Sequence, residues 1–179
     1  MNQISFIRTV IVLAGLLVLQ PCHGAFNSYL TLTLNGEDVA GESTLQEIGG
    51  VDVSGSIECV AFNHEVFASG GGRKTHGPVK IVKRVDKSSP LLYQGFDQNQ
   101  TATAAFKFFR LNSDSGETEH HYTITLVNAR ISSIRHWFPN TLDPAGAALP
   151  QMEEISFIYQ SIIITSETGS TEYQMDANP

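Results

Sequence analysis

Residues 152–165 read Met-Glu-Glu-Ile-Ser-Phe-Ile-Tyr-Gln-Ser-Ile-Ile-Ile-Thr, and this stretch decides the fold. Its length and its β-branched and aromatic content predict one long β-strand. Apolar residues occupy both faces of that strand, one set on each parity: Ile155, Phe157 and Tyr159, then Ile158, Ile162 and Ile164. A strand that is apolar on both faces must be covered on both. We therefore expect a barrel interior on one side and a helix or a neighbouring subunit on the other.

The rest of the chain predicts further strands separated by turn sequences. Alternation of side chains with a two-residue period indicates strands over residues 29–34, 56–67, 79–85, 103–111 and 119–134. Asn128 marks a kink in the last of these. Asn35 and Gly36 form a turn, and the loop over residues 137–150 contains three prolines.

One short helix is predicted between the strands. Ser89 followed by Pro90 has the form of an N-cap and a first helical residue, so the helix should cover Leu91 to Asp97. The fold class that fits these elements is mainly β, a small antiparallel β-barrel or sandwich with one short flanking α-helix.

The N-terminus has the pattern of a secretory signal peptide. Arg8 supplies a positive charge, Val10 to Leu19 form an apolar core, and the segment ends in small residues at Gly24 and Ala25. We expect cleavage after Gly24, so that residues 1–24 are the signal and residues 25–179 form a single domain, secreted or periplasmic and not inserted in a membrane. An uncleaved anchor and lipidation of Cys22 are the alternatives.

Charge and cysteine content restrict the partners of the cleaved chain. Removing Arg8 leaves ten basic against eighteen acidic residues, a formal charge of −8. Nucleic acid is therefore not expected as a partner, since phosphate binding needs a clustered basic surface. Cys59 is the single cysteine after cleavage, and it is expected as a small buried hydrophobe, with an intermolecular disulfide as the alternative.

Catalytic and metal-binding patterns are not found. The glycines before Lys74 and Thr75 resemble a phosphate-binding loop, but Arg73 stands where glycine is required and the loop joins two strands. Neighbours on a strand face opposite ways, so His120 and His121 cannot easily chelate one ion, and Glu153 and Glu154 should cover a sheet edge with charge. We expect no enzyme activity, no cofactor and no metal site.

Three segments, taken in order, resemble a known family. They are Ser-Ile-Glu-Cys-Val-Ala-Phe-Asn-His-Glu-Val at residues 56–66, Asp-Lys-Ser-Ser-Pro-Leu-Leu at residues 86–92 and Met-Glu-Glu-Ile-Ser-Phe-Ile-Tyr-Gln-Ser-Ile at residues 152–162. With the glycine segment between the first two, the chain is similar to the haemolysin-coregulated protein (Hcp) family of type VI secretion tube subunits, from about Ser28 to Glu172.

The resemblance implies a self-assembling structural protein. Family members form six-membered rings that stack into a hollow tube, whose interior can carry small effectors and which works with other secretion-system components. The resemblance also implies a subunit-contact loop, namely Ser69, Gly70, Gly71, Gly72, Arg73, Lys74, Thr75, His76 and Gly77. The family-motif residues are Asp86, Lys87, Ser88, Ser89, Pro90, Glu153, Glu154 and Phe157. Typical members lack a cleavable signal, so the leader is a departure from the family pattern.

Two other classes of function stay open. One is an exported binding module that keeps the barrel without forming a tube, and ring size in solution separates it from the tube subunit. The other is an enzyme, for example a hydrolase, which would require a pocket where polar side chains converge.

Overall fold

A computed structural model describes residues 28–68, 71–144, 146 and 149–177; the expected signal peptide, residues 1–24, lies outside them. Strands dominate, and one short helix is present among the described residues, which confirms the mainly β fold class. In chain order the elements are β1 (Ser28–Leu34), β2 (Glu37–Asp38), β3 (Glu47–Ile48), β4 (Val51–Asp52), β5 (Ile57–Asn63), β6 (Val66–Ala68), β7 (Lys74–His76), β8 (Val79–Arg84), α1 (Ser89–Asp97), β9 (Ala102–Leu111), β10 (Thr118–Trp137), β11 (Met152–Ile158), β12 (Ser161–Ser166) and β13 (Thr171–Asp176).

Six strands form a closed antiparallel barrel. Their order is β11–β8–β5–β1–β9–β10, and β10 pairs with β11 to complete the ring. Closure pairs each of these strands on both sides, which removes the exposed edges of an open sheet. The sheet continues beyond the barrel through β12 and β13, which extend from the first half of β10.

The long strand β10 holds the barrel and its extension together. It pairs with β12 over residues 122–127 and with β11 over residues 130–137. Between these halves, Asn128 has a φ of 51°, and the pairing with β9 changes register between Leu126 and Ala129. Asparagine tolerates the left-handed conformation better than most residues. The predicted kink at Asn128 is confirmed.

The predicted last strand is interrupted, and this changes its pattern of burial. Tyr159 and Gln160 separate β11 from β12, whereas the sequence predicts one continuous strand. Phe157 before the break and Tyr159 within it pack into the core, and Ile162, on the opposite parity, packs into the same core after it. Ile158 is 52% exposed. The apolar residues on both parities therefore reflect largely a change of phase at the break rather than a strand buried on both faces.

The core fills the barrel from the inward faces of the strands. On β1, Leu30, Leu32 and Leu34 are buried and stand opposite Phe106, Ala104 and Ala102 of β9. Leucine opposite alanine lets the layers interdigitate. The other face of β1 is covered as well, because Tyr29 packs with Phe109 and Val53 in a second cluster. The short strands β3 and β4 support that cluster and were not predicted.

The helix α1 packs against the barrel through its buried side. Leu92 joins the core, and Gly95 lies against Leu34, where a Cβ atom would be 2.7 Å from Leu34 Cδ1. The helix begins at Ser89, two residues earlier than predicted, and Ser88 occupies the N-cap position without a side-chain capping hydrogen bond. The prediction that Ser89 caps the helix is therefore wrong, because its hydroxyl is used in the polar cluster described below.

Candidate functional sites: the arm and the buried ionic cluster

The glycine segment lies in a hairpin outside the barrel, which we call the arm and define as β6, the glycine segment and β7 (residues 66–76). The two strands pair antiparallel in a sheet of their own, with Val66 opposite His76 and Ala68 opposite Lys74. Gly71 and Gly72 have φ angles of 93° and 83°. A Cβ atom strains such a backbone, so the turn requires glycine.

Two predicted boundaries around the arm need correction. The strand predicted over residues 56–67 ends at Asn63, and His64 and Glu65 separate it from β6. The loop predicted from Ser69 to Gly77 contains β7, so Lys74, Thr75 and His76 are in a strand. These residues form a strand because they pair with β6, and this pairing satisfies backbone groups that a loop would leave to solvent. Gly71 to Thr75 are exposed, and Ser69 and Gly70 lie outside the described residues.

Three polar side chains meet where the arm leaves the barrel. Tyr159 Oη lies 2.6 Å from His64 Nε2 and 3.0 Å from His76 Nδ1. Beside them the Gly77 amide donates to the Glu65 carbonyl at 2.9 Å, which closes the base of the hairpin. Burial, and then the nearby His76, hold the pKa of His64 below its ordinary value. Burial raises the pKa of Tyr159 to about 12, so its phenol keeps its proton at neutral pH.

A second group of polar residues, the buried ionic cluster, lies between β8, β11 and the start of α1. We define it as Lys83, Asp86, Ser88, Ser89 and Glu153. Lys83 and Glu153 face each other directly in the β8–β11 register, and both are 0% exposed. Lys83 Nζ lies 2.6 Å from Glu153 Oε1 and 2.8 Å from Asp86 Oδ1. The Arg84 carbonyl at 2.8 Å and Ser89 Oγ at 3.2 Å also lie within hydrogen-bonding distance, so the three protons of Nζ are shared among four acceptors.

The cluster fixes the start of α1 to the barrel. Ser89 Oγ donates to Glu153 Oε1 at 2.6 Å and accepts from the Asp86 amide at 3.1 Å. Asp86 Oδ1 in turn accepts from the Ser88 amide at 2.9 Å. Burial raises the pKa of Asp86, but hydrogen bonds from Lys83 and Ser88 together outweigh burial, so this pKa lies below its ordinary value. The segment before the helix is therefore held by charge and by hydrogen bonds at once.

Glu153 does not cover a sheet edge with charge, and that expectation is wrong. Its side chain points into the protein and pairs with Lys83 because residues 153, 155 and 157 share the inward parity of β11. Glu153 Oε2 has no hydrogen-bond partner among the described residues. A buried charge tolerates this only while its other oxygen is strongly bound. Lys83 is therefore the residue on which the burial of Glu153 depends.

The other predicted motif residues have separate roles. Phe157 is buried in the core, with its ring 6.2 Å from that of Phe106. Glu154 is half-buried, while Lys87 and Pro90 are exposed. The structure thus brings four of the motif residues into one cluster, namely Asp86, Ser88, Ser89 and Glu153. It places the remaining four around that cluster or in the core.

Two residues of these sites were missed by the sequence analysis. Lys83 has a signal in the sequence, because it shares parity with Val79 and Ile81 on a predicted strand, and a lysine on an apolar face needs a buried partner. Tyr159 lies on one apolar face of the predicted last strand, and it is buried, but its hydroxyl is also the meeting point for His64 and His76. Nothing in the spacing along the chain brings these three together.

Metal ligands, membrane spans and the remaining cysteine were considered within the described ranges, residues 28–68, 71–144, 146 and 149–177. No group of three or more His, Cys, Asp or Glu side chains within them is arranged to hold a metal ion. In the same ranges, no helix has the length and hydrophobicity needed to cross a bilayer. Cys59 is buried as predicted, and burial raises its pKa to about 12, so the thiol is protonated at neutral pH.

Comparisons with known proteins agree with the fold. The family model for the type VI secretion system effector Hcp matches residues 29–165. The major exported protein of Pseudomonas aeruginosa strain PAO1 is 33% identical over 152 residues, which cover 79% of this chain and 88% of that protein.

Solved structures of similar shape give the same result for the fold. Secreted protein Hcp3 from Pseudomonas aeruginosa has a TM-score of 0.71 and 24% identity, covering 87% of this chain and 100% of that one. Hcp1 from the E. coli EAEC 042 pathovar has a TM-score of 0.70 and 24% identity, covering 84% and 97%. Because the family model spans most of the chain and a relative with one-third identity aligns over most of both proteins, this chain belongs to the Hcp family of type VI secretion system effectors.

Proposed function

We propose that this chain is an exported structural subunit that assembles with itself into closed six-membered rings, and that these rings stack into a hollow tube. Membership of the Hcp family supports a structural role in type VI secretion. The name of the Pseudomonas aeruginosa relative, a major exported protein, supports export. In this proposal the ring interior holds small effectors, and other components of the secretion system are the remaining partners.

The observation that carries self-assembly is the outward face of α1. Tyr93 and Phe96 are three residues apart on the helix, so they share one face, and each is 44% exposed. The adjoining side of the helix, through Leu92, already joins the barrel core. The subunit therefore does not need this aromatic pair to complete its own core. Exposed aromatic side chains on a rigid element are typical of a protein–protein interface.

The arm is the proposed contact between rings. It lies outside the barrel sheet and presents Arg73 and Lys74 on a chain whose formal charge is −7. An acidic patch on a neighbouring subunit is the natural receiver for these two residues. Replacing both by glutamate should weaken stacking, more so at low salt, where the attraction is least screened.

Sedimentation velocity of the full chain, with native mass spectrometry, tests self-assembly. We expect a closed cyclic oligomer, most simply a hexamer, at micromolar concentration and neutral pH. Phe96→Ser should shift the protein towards smaller species, because it removes an aromatic contact from the outward face of α1. Leu142→Ser is the matched control, since it removes a side chain that is 93% exposed in the loop after β10.

The outcome also separates the competing functions. A sharp monomer for the unmodified protein would refute the ring and favour the exported binding module. An oligomer that responds equally to Phe96→Ser and Leu142→Ser would refute α1 as the interface while leaving self-assembly intact.

A further inference from the structure

One phenol oxygen lies between two imidazoles at the base of the arm, and this limits where the protons can be. A phenol has a single proton, so Tyr159 can donate to one histidine and must accept from the other. Tyr159 Oη lies 2.6 Å from His64 Nε2 and 3.0 Å from His76 Nδ1, and the tautomers of the two imidazoles set which ring accepts and which donates. Both ring nitrogens are therefore held against a single oxygen atom.

This arrangement holds one added proton but not two. With one imidazole protonated, its N–H donates to Tyr159 and the hydroxyl of Tyr159 donates to the other ring. With both protonated, the hydroxyl hydrogen loses its acceptor, and two positive charges face each other across a half-buried site. Both effects agree with the direction in which burial and His76 move the pKa of His64, which is below 6.5.

The groups around His64 come from four parts of the structure. His76 faces it from β7, and Tyr159 faces it from the connection between β11 and β12. Three charged residues lie on the adjoining segments: Glu65 next to His64 in sequence, Lys74 on β7, and Lys80 on β8, which is opposite Asn63 of β5. All three are exposed. Solvent screens those three, so the second imidazole and the phenol dominate.

The three residues connect the arm to the barrel. His76 is opposite Val66 in the ladder of the arm, while Tyr159 is buried in the barrel core. We propose that His64, Tyr159 and His76 form a pH-sensitive latch that holds the arm against the barrel at neutral pH and releases it when both histidines carry a proton. The consequence for ring stacking rests on the proposed function, but the latch itself can be measured without assembly.

The sign of the pH dependence follows from the direction of the shift. A histidine whose pKa is lower in the folded than in the opened state favours the closed form above the opened-state pKa. That contribution is lost as pH falls from the ordinary value of 6.5 towards the lowered pKa of His64. The arm should therefore loosen under mildly acidic conditions, while the barrel stays folded.

Hydrogen exchange of the full chain, followed by mass spectrometry and corrected for the intrinsic effect of pH, tests the latch. The readout is the protection of amides in β6, β7 and Gly77, with amides of β1 as the internal reference. We expect arm protection to fall roughly fivefold between neutral pH and about pH 5, the loss of about one hydrogen bond, with β1 unchanged. Sedimentation at the same pH values reports separately on the proposed function.

Three variants make the result specific. His64→Gln keeps a neutral acceptor for Tyr159 at every pH, so arm protection should no longer fall in acid. Tyr159→Phe keeps the buried ring but removes the hydroxyl, so protection should be low already at neutral pH. His136→Gln, at an exposed histidine on β10, should behave as the unmodified protein. A flat profile in the unmodified protein, or the same acid response in His64→Gln, would overturn the latch.

Discussion

Removing the positive charge of Lys83 should destabilise the protein more than any nearby surface change. Lys83→Met removes hydrogen bonds from Nζ to two carboxylates, at 2.6 Å to Glu153 and 2.8 Å to Asp86. Each such charge-assisted bond contributes about 1.5–3 kcal/mol. The substitution also leaves the Glu153 carboxylate buried with Ser89 as its remaining hydrogen-bond donor. Together these effects predict a loss of about 3–5 kcal/mol in the free energy of unfolding.

Urea unfolding followed by circular dichroism measures that loss. Lys80→Met is the matched control, because Lys80 lies on the same strand with its side chain exposed, and it should change stability by less than about 0.5 kcal/mol. The double variant Lys83→Met with Glu153→Met should lose less than Lys83→Met alone, since no buried charge is then left without its partner. Equal effects at Lys83 and Lys80, or additive losses in the double variant, would refute the reasoning.

Four further outcomes are expected. Gly41→Ala should lower the free energy of unfolding by about 1–3 kcal/mol, because the added Cβ would lie 2.5 Å from the Ser56 carbonyl oxygen. Gly95→Ala should cost less, because its Cβ meets a movable Leu34 methyl and alanine favours the helix. Comparing the melting temperatures of the two variants checks this. Deleting Gly71 to Lys74 should leave the melting temperature of the barrel nearly unchanged, because the arm forms a separate sheet, and a large drop would show that the arm supports the core. Cys59 should resist alkylation in the folded protein and react on unfolding, since burial raises its pKa to about 12; rapid labelling of the native protein would contradict this. N-terminal sequencing of protein exported by a bacterium should begin at Ala25, and recovery of the intact leader would contradict cleavage.

The sequence alone could predict the strands whose residues alternate. Leu30, Leu32 and Leu34 are separated by threonines, and a two-residue period allows one arrangement in which all three leucines are buried. The kink at Asn128 and the turn at Asn35 and Gly36 were also predictable, because few residue types accept a positive φ. These are local properties of the chain.

The burial of charge could be predicted only in part. Lys83 has the parity of Val79 and Ile81, and Glu153 has that of Ile155, so each residue by itself indicates an inward position. What the sequence does not contain is the register that places them opposite each other, since it depends on how β8 and β11 pair across 70 residues of chain. Without that register, Glu153 was assigned to an exposed edge.

Tertiary structure alone decided the base of the arm and the break between β11 and β12. Residues 152–165 have the propensity of one strand. Their partner β10 is kinked at Asn128, and it pairs with β12 before the kink and with β11 after it. The last strand therefore breaks at Tyr159 and Gln160, and the parity of its inward-facing residues changes there. That break brings Tyr159 to His64 and His76, which are 95 and 83 residues away along the chain. Local sequence determined which segments become strands and where glycine or asparagine must turn them. The meeting of one phenol with two imidazoles depended on barrel closure, because contacts between distant segments form only when the whole sheet pairs.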